Sequence, residues 1–387
     1  MIRFFLLLLC FSSAVSLAAT KVVNVAYLHE KLPTPPALSN LDPMVLGEGL
    51  QGVRLGIEDS NTTGKFTGHH YKMKYVDVAV DSSVQLAFDE LVKKGYRYII
   101  ANVQAKTLTT LARSAAAKNI LIFNVAAQDD ALRNKSCSTN VVHITPSDAM
   151  RADALAQFMF KKRWKKWFLI KGDSAADEQF SLALKRSAKH FGIKIVEEKT
   201  WRFQHDARRT AQAEIPVFTQ ADDYDAVVVA DVAGLFGEYL PLNTWLPRPV
   251  VGTQGLVPRA WHRTHERWGA VQLQNRFYEQ AGRWMGDVDY ASWLAVRAIG
   301  ESVTRTQKAD LASVKMFMLS EQFSLAGFKG TRLSFRRWNQ QLRQPVLLAT
   351  ARSLVSVLPH REFLHPRTFL DTLGYDEPES SCQLNTN

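Results

Sequence analysis

An α/β fold of two doubly wound lobes is predicted by three features of this 387-residue chain. Strand-like and helix-like runs alternate from Val22 to Val125, and the same alternation restarts after Thr145-Pro146-Ser147. The chain is also longer than one hydrophobic core usually serves. Strands separated by helices need crossover connections, so each series predicts a parallel sheet with helices on both faces. Hydrophobic content of 46% and charged content of 22% are those of a globular chain. The formal charge of +11 would attract anionic ligands, lipid headgroups or acidic partners without naming one.

Residues 1–19 precede the alternation. Arg3, the apolar run Phe4–Phe11 and the small-residue zone Ser16-Leu17-Ala18-Ala19 read as a secretory signal peptide cleaved after Ala18 or Ala19, which predicts an exported, periplasmic mature chain. The run is too short to span a bilayer, and no later segment offers about 18 to 20 uncharged apolar residues. An integral membrane protein is therefore not expected. Lipid anchoring at Cys10 is the alternative, although Leu9 stands where that processing wants a small residue.

Val22–Leu28 predicts a strand, and Gly47–Asp59 an amphipathic helix with Leu50, Val53, Leu55 and Ile57 on or near one face. Strand Tyr71–Val76, helix 83–94, strand 96–101, helix 106–118 and strand 120–125 follow. The second series reads helix 148–162, strand 167–171, helix 176–191, strand 193–197, helix 206–218, strand 225–230 and strand Pro249–Gly252. Beyond Leu256 come aromatic helices at 274–283 and 289–305, then Thr331–Phe335 and Pro345–Ala351, which read as the arms of a hairpin. Three cysteines become two once the leader is removed. In an oxidising compartment Cys137 and Cys382 are a candidate disulfide, with two free thiols as the alternative.

Gly47-Glu48-Gly49-Leu50-Gln51-Gly52 has the G-x-G-x-x-G spacing, and Asp77 lies where a ribose-binding acid could. In a dinucleotide site the first glycine follows its strand directly, so that pyrophosphate meets the helix N-terminus. Here a long segment bearing Pro33, Pro35, Pro36 and Pro43 intervenes. The glycines are read as permitting close helix packing, and no cofactor is expected. His262-Arg263-Thr264-His265-Glu266 departs from metal-binding H-E-x-x-H, so it reads as a solvated helix face and no metal is expected. His69-His70 reads as a surface turn, and Asn61-Thr62-Thr63 fits a glycan acceptor. Lys161–Trp167 interleaves cations with aromatics, as nucleic-acid platforms do. Its place between a helical run and apolar Phe168-Leu169-Ile170 instead favours cations at a helix C-terminus, so no nucleic-acid partner is expected. There is no G-x-S-x-G elbow and no carboxylate pair assignable to acid–base work, which favours a binding protein over an enzyme.

Val22–Tyr27, Gly49–Asp59, Ile120–Ala127, His143–Ala149 and Val251–Leu256 together resemble the type I periplasmic solute-binding proteins of the branched-chain amino-acid class. Ala260–Arg263, Trp293–Glu301 and Asp371–Ser380 are similar to the branch associated with pyrroloquinoline-quinone-dependent alcohol dehydrogenase systems. The resemblance implies lobe one over 20–144 and 258–325, lobe two over 145–257 and 326–360, and a tail over 361–387. It implies a multi-strand hinge near Ile144-Thr145-Pro146 and Leu256-Val257-Pro258, closure on a small-molecule ligand, and an ABC permease as partner. A sensor or assembly factor of the same alcohol-oxidation system is the alternative.

By position, the resemblance assigns ligand contacts to Ala105, Lys106, Thr107, Ala126, Ala127, Gln128, Asp177 and Gln254. Amino-acid binders hold the ligand carboxylate with hydroxyls and backbone N–H groups in the first loops, and its ammonium with an acid in the last. Here the last position is Gln254. A neutral amide cannot repay the desolvation of an ammonium, so a neutral or anionic oxygenated ligand is expected. Trp245, Trp261, Trp268 and Trp284 could add a stacking wall.

Overall fold

The computed structural model describes residues 20–33, 45–202, 214–241 and 243–384; the leader and residues 206–213 of an expected helix lie outside them. β1 (Lys21–Glu30), β2 (His69–Val78), β3 (Tyr98–Asn102), β4 (Leu121–Asn124) and β5 (Val141–His143) form a five-stranded sheet in the order β2-β1-β3-β4-β5. Every pairing in it is parallel. Its strands are buried on both faces: Val23, Val25 and Tyr27 point into one core, Ala26 and Leu28 into another. This is why their sequences read as near-continuous apolar runs rather than as clean alternation.

α1 (Leu50–Thr67) covers one face of this sheet, and α2 (Val84–Lys93) and α3 (Ala105–Arg113) the other. α1 lies close against a later helix, and a methyl at Gly52 would stand 1.9 Å from the Asp289 carbonyl oxygen. The glycine spacing read as a packing device therefore serves that purpose. Asn61 is committed inside α1, where its side chain exchanges hydrogen bonds with the backbone of Tyr71, so the suspected glycan acceptor is a structural clamp. His69, expected in a surface turn, begins β2 and is buried.

α4 (Asp148–Lys161) opens the second unit. β6 (Lys166–Lys171), β7 (Lys194–Thr200), β8 (Ala226–Ala230) and β9 (Val250–Gly252) form a four-stranded parallel sheet in the order β7-β6-β8-β9. β8, Ala-Val-Val-Val-Ala, is wholly buried, whereas the edge strand β7 carries charged residues. α5 (Ala175–His190) packs beside α4. The basic cluster at 161–167 ends α4 and enters β6, with Trp167 buried, as the helix-terminus reading required.

The remaining chain serves both units. β10 (Val257–Arg259), β14 (Val346–Ala349) and β15 (Leu354–Leu358) form an antiparallel sheet that packs on α4. α6 (Ala270–Ala281), α7 (Asp287–Thr306) and α8 (Leu311–Met318) join the first core, as do residues of β11 (Leu325–Ala326), β12 (Arg332–Phe335) and β13 (Leu342–Arg343). The expected hairpin is not formed. β12 pairs with β11 and β13, while β14 pairs with β10 and β15, because the chain changes cores between Leu342 and Val346. The residues 262–266 form turns rather than a helix; His265 is buried and its Nε2 meets the Phe328 carbonyl at 2.9 Å. Trp261 is core, stacked on Tyr290. Among the described residues, no helix is long and apolar enough to cross a membrane.

The tail is fixed to the body. Buried Asp371 accepts from Arg336 Nε at 2.9 Å and from Arg343 Nε at 2.8 Å, and Cys137 is disulfide-bonded to Cys382. Asp371→Ala strands the buried Arg336 guanidinium, with an expected loss of about 3–5 kcal/mol in urea unfolding. Reduction of the disulfide releases a link across 245 residues, with an expected loss of up to roughly 5 kcal/mol by the same measurement.

Candidate functional site

In an open parallel sheet, the binding crevice lies outside the carboxyl ends of the two strands where strand order reverses. That point falls between β1 and β3 in the first sheet, and between β6 and β8 in the second. Each crevice is bridged by a carboxylate of the chain itself.

In the first, Glu30 at the end of β1 reaches the N-terminus of α3. One of its oxygens accepts the Gln104 backbone N–H at 2.8 Å, and the other accepts the Thr107 hydroxyl at 2.8 Å. Gln104 occupies the N-cap without making a side-chain cap, so Glu30 supplies the acceptor that this helix end lacks. Beside it, Asp77 accepts from Lys31 Nζ at 2.7 Å and contacts His29 Nδ1 at 2.8 Å. Burial raises the Asp77 carboxyl, but the hydrogen bonds from Lys31 and His29 prevail and hold it below the usual range.

In the second, Asp177 sits in the first turn of α5. One oxygen accepts the Ser174 hydroxyl at 2.7 Å in a capping box, and the other accepts the Val232 backbone N–H beyond β8 at 2.7 Å. Buried Asp231 accepts the backbone N–H groups of Leu235, Phe236 and Gly237 at 2.9, 2.8 and 2.6 Å. Burial raises its carboxyl despite those three bonds. Gln254 lies against this loop, accepting from the Thr253 hydroxyl and donating to the Asp231 carbonyl at 3.3 Å.

The expected contact residues thus fall into separate groups. Ala105 is half-buried and Lys106 exposed on the first turn of α3, next to Thr107. The N–H groups of Ala126 and Ala127 turn back onto the Asn124 side chain at 3.3 and 2.9 Å, and Gln128 accepts from Arg151 at the start of α4. Asp177 and Gln254 belong to the second lobe's loops, with Asp177 consumed by its own cap and crosslink. A cavity of about 430 Å³ spans both units nearby, lined by Asp129, Asp130 and Asp148, by Gln179 on α5, and by Tyr375 and Glu379 of the tail. Burial, with the charge of Asp148, raises the Asp130 carboxyl to about 7.

The passages between the units were only partly foreseen. The chain leaves the first core after Ile144, returns to it at Ala260, and leaves again after Leu342. Buried amides tie the first and third passages together. Gln341 Nε2 donates to the carbonyls of His143 and Thr145 at 3.2 and 3.0 Å, and Gln344 Nε2 donates to that of Ile144 at 2.5 Å. Arg133 donates to Gln341 Oε1 at 2.9 Å, and Lys329 Nζ to Gln344 Oε1 at 2.8 Å and to the Pro345 carbonyl at 2.9 Å. Glu30 and these amides escaped the sequence reading. The signal available for the amides was the polar run Asn339-Gln340-Gln341 between apolar strands; Glu30 offered none, because its partner lies 74 residues away.

The fold is that of the type I periplasmic binding proteins. The amino-acid ABC transporter substrate-binding protein from Pseudomonas fluorescens Pf-5 superposes with a TM-score of 0.71 at 13% identity, over 95% of this chain and 100% of that one. A branched-chain amino-acid ABC transporter periplasmic ligand-binding protein from Burkholderia xenovorans LB400 gives 0.69 at 16% identity, over 87% and 95%. A solute-binding protein from R. palustris in complex with benzoate gives 0.65 at 14% identity, over 95% and 100%. Residues 44–236 match the family model described as Periplasmic binding protein. No curated protein sequence matches the chain.

Burial pushes the Lys329 ammonium down to about 7. Between that value and the ordinary lysine range the unfolded chain binds the additional proton, so the stability owed to this group rises as pH climbs through that window. Urea unfolding at neutral and at mildly alkaline pH is expected to show this rise in the native protein, and to show it diminished in Lys329→Met.

Proposed function

We propose that this chain is the exported solute-binding component of an ABC transporter. In this reading it holds a small oxygenated ligand between its lobes in the periplasm and presents it to a membrane permease, in a setting linked to pyrroloquinoline-quinone-dependent alcohol oxidation. The observation that carries the reading is the pairing of two parallel sheets through slender passages. Each sheet offers a crevice at its carboxyl edge, and the passages are tied to one another by side-chain amides. Similarity to the family model supports binding rather than catalysis, and the benzoate complex of a protein with this fold supports an oxygenated solute. Gln254, a neutral amide, disfavours an ordinary amino acid. The link to alcohol oxidation rests on the likeness of Ala260–Arg263, Trp293–Glu301 and Asp371–Ser380 to that branch.

A thermal-shift screen of alcohols, aldehydes and carboxylic acids is expected to yield a ligand. Tracer uptake of that ligand should be lost on deletion of the gene and restored by the native chain; undiminished uptake in the deletion strain refutes transport. Gln254→Ala is expected to weaken the same ligand roughly 2- to 12-fold, as removal of one hydrogen bond does, with the melting temperature held.

A further inference from the structure

We propose that the cavity of about 430 Å³ between the two units is a binding site for an organic ammonium ion, with the carboxylates of Asp129 and Asp148 meeting its charge and Ala131, Leu182 and Ala183 its hydrocarbon part. None of the residues assigned above to solute contact lines this cavity, so the site goes beyond the solute-binding reading and stands without it.

The acids come from both units, and the chain leaves them short of partners. Asp148, in the first turn of α4, is only 8% exposed and lines the cavity. One of its oxygens meets Arg151 at 3.4 Å, and the other accepts no hydrogen bond among the described residues. The Asp129 carboxylate accepts none there either; this residue gives only its backbone carbonyl, to Arg133 at 3.0 Å and to the Leu132 N–H at 3.3 Å. A helix N-terminus favours acids, but that accounts for Asp130 alone, which takes the Ala149 N–H at 3.0 Å and the Ser147 hydroxyl. The nearby cations are committed elsewhere. Arg133, buried behind the segment, spends its hydrogen bonds on Gln341 and on the carbonyls of Ala127, Asp129 and Thr145. Arg151 reaches Gln128 and the Pro258 carbonyl, and Arg186 of α5 holds Asp153 and Glu379. Lys135 stands exposed at the rim and forms no ion pair among the described residues. Burial, with the charge of Asp148, lifts the Asp130 carboxyl to about 7, and burial raises Asp148 as well. A cation drawn into the cavity relieves both. The apolar side chains opposite the acids select an organic cation, and among the described residues no three acids or histidines are placed to hold a metal ion.

The test is calorimetric titration of the native chain at low ionic strength, where attraction between charges is least screened, with benzylamine, benzyl alcohol and benzoate as probes of one shape. Benzylamine, an ammonium ion throughout the neutral range, should bind roughly tenfold or more tightly than either of the others, as a charged hydrogen bond does against a neutral one. No binding of the amine, or equal or tighter binding of the alcohol or the acid, overturns the proposal. Asp148→Asn and Asp129→Asn should each weaken benzylamine roughly tenfold. The Asp129 side chain holds no hydrogen bond, so its replacement spares the fold; native affinity in Asp129→Asn overturns the site even where Asp148→Asn does not fold. Asp130 faces Asp129, Arg133 and Lys135 of its own segment, Asp148 and Arg151 of α4, and Tyr375 and Glu379 of the tail. As pH climbs through about 7 its carboxyl ionises and adds attraction, so native affinity should rise severalfold from mildly acidic to mildly alkaline pH, and Asp130→Asn should lose that rise. A flat native profile overturns the proposal. Displacement of benzylamine by calcium chloride at matched ionic strength would assign the acids to a metal ion and overturn the organic cation.

Discussion

Peptide groups that pass between two cores must be hydrogen-bonded in a place that water does not reach, and the two-lobed arrangement depends on how that is met. The carbonyls of His143, Ile144 and Thr145 find neither a helix nor a full strand ladder as the chain leaves β5, and the side chains of Gln341 and Gln344 supply the donors. A buried carbonyl left without a donor costs about 1–3 kcal/mol, so these amides are the condition under which the passages can be thin. The arrangement also couples two passages remote in sequence. The segment after β5 cannot shift without carrying the segment after β13, since each provides what the other lacks.

The same economy recurs at the carboxyl edges of the sheets. Glu30 joins the end of β1 to the start of α3, and Asp177 joins the start of α5 to the loop beyond β8. Both bonds cross the point where strand order reverses and neighbouring connections diverge. The carboxylates thus brace the loops that a solute would meet, and the loops are shaped before any solute arrives.

Much of the architecture was open to reading because its signals are local. Strands buried on both faces leave apolar runs such as Ala226–Ala230, helices between them show their own period, and compartment plus cysteine count suffices to nominate Cys137 and Cys382. What escaped notice is set by partners distant in sequence. Thr331–Phe335 and Pro345–Ala351 look like adjacent arms, and nothing within them reports that they enter different sheets. His265 carries the mark of a polar surface residue, yet it is enclosed by Trp261 and Trp268 from its own segment and by the Phe328 carbonyl. Thr107 could be nominated from its loop, but the group that engages it could not, because Glu30 reads as the charged end of a strand.

The disulfide has a mechanical consequence that follows from where its ends lie. Cys137 belongs to the first lobe. Cys382 follows a stretch whose Glu379 is gripped at 2.8 Å by Arg186 of α5, and whose Ser380 touches the Asn134 side chain. The molecule is thereby laced along one margin as well as jointed at its passages. With two residues between the grip and the cystine, the step from Glu379 to Cys382 reaches at most about 10 Å at full extension. Any wider gape on that margin must first pull Glu379 from Arg186, so this margin of the molecule is tethered by a bond that can yield and a bond that cannot.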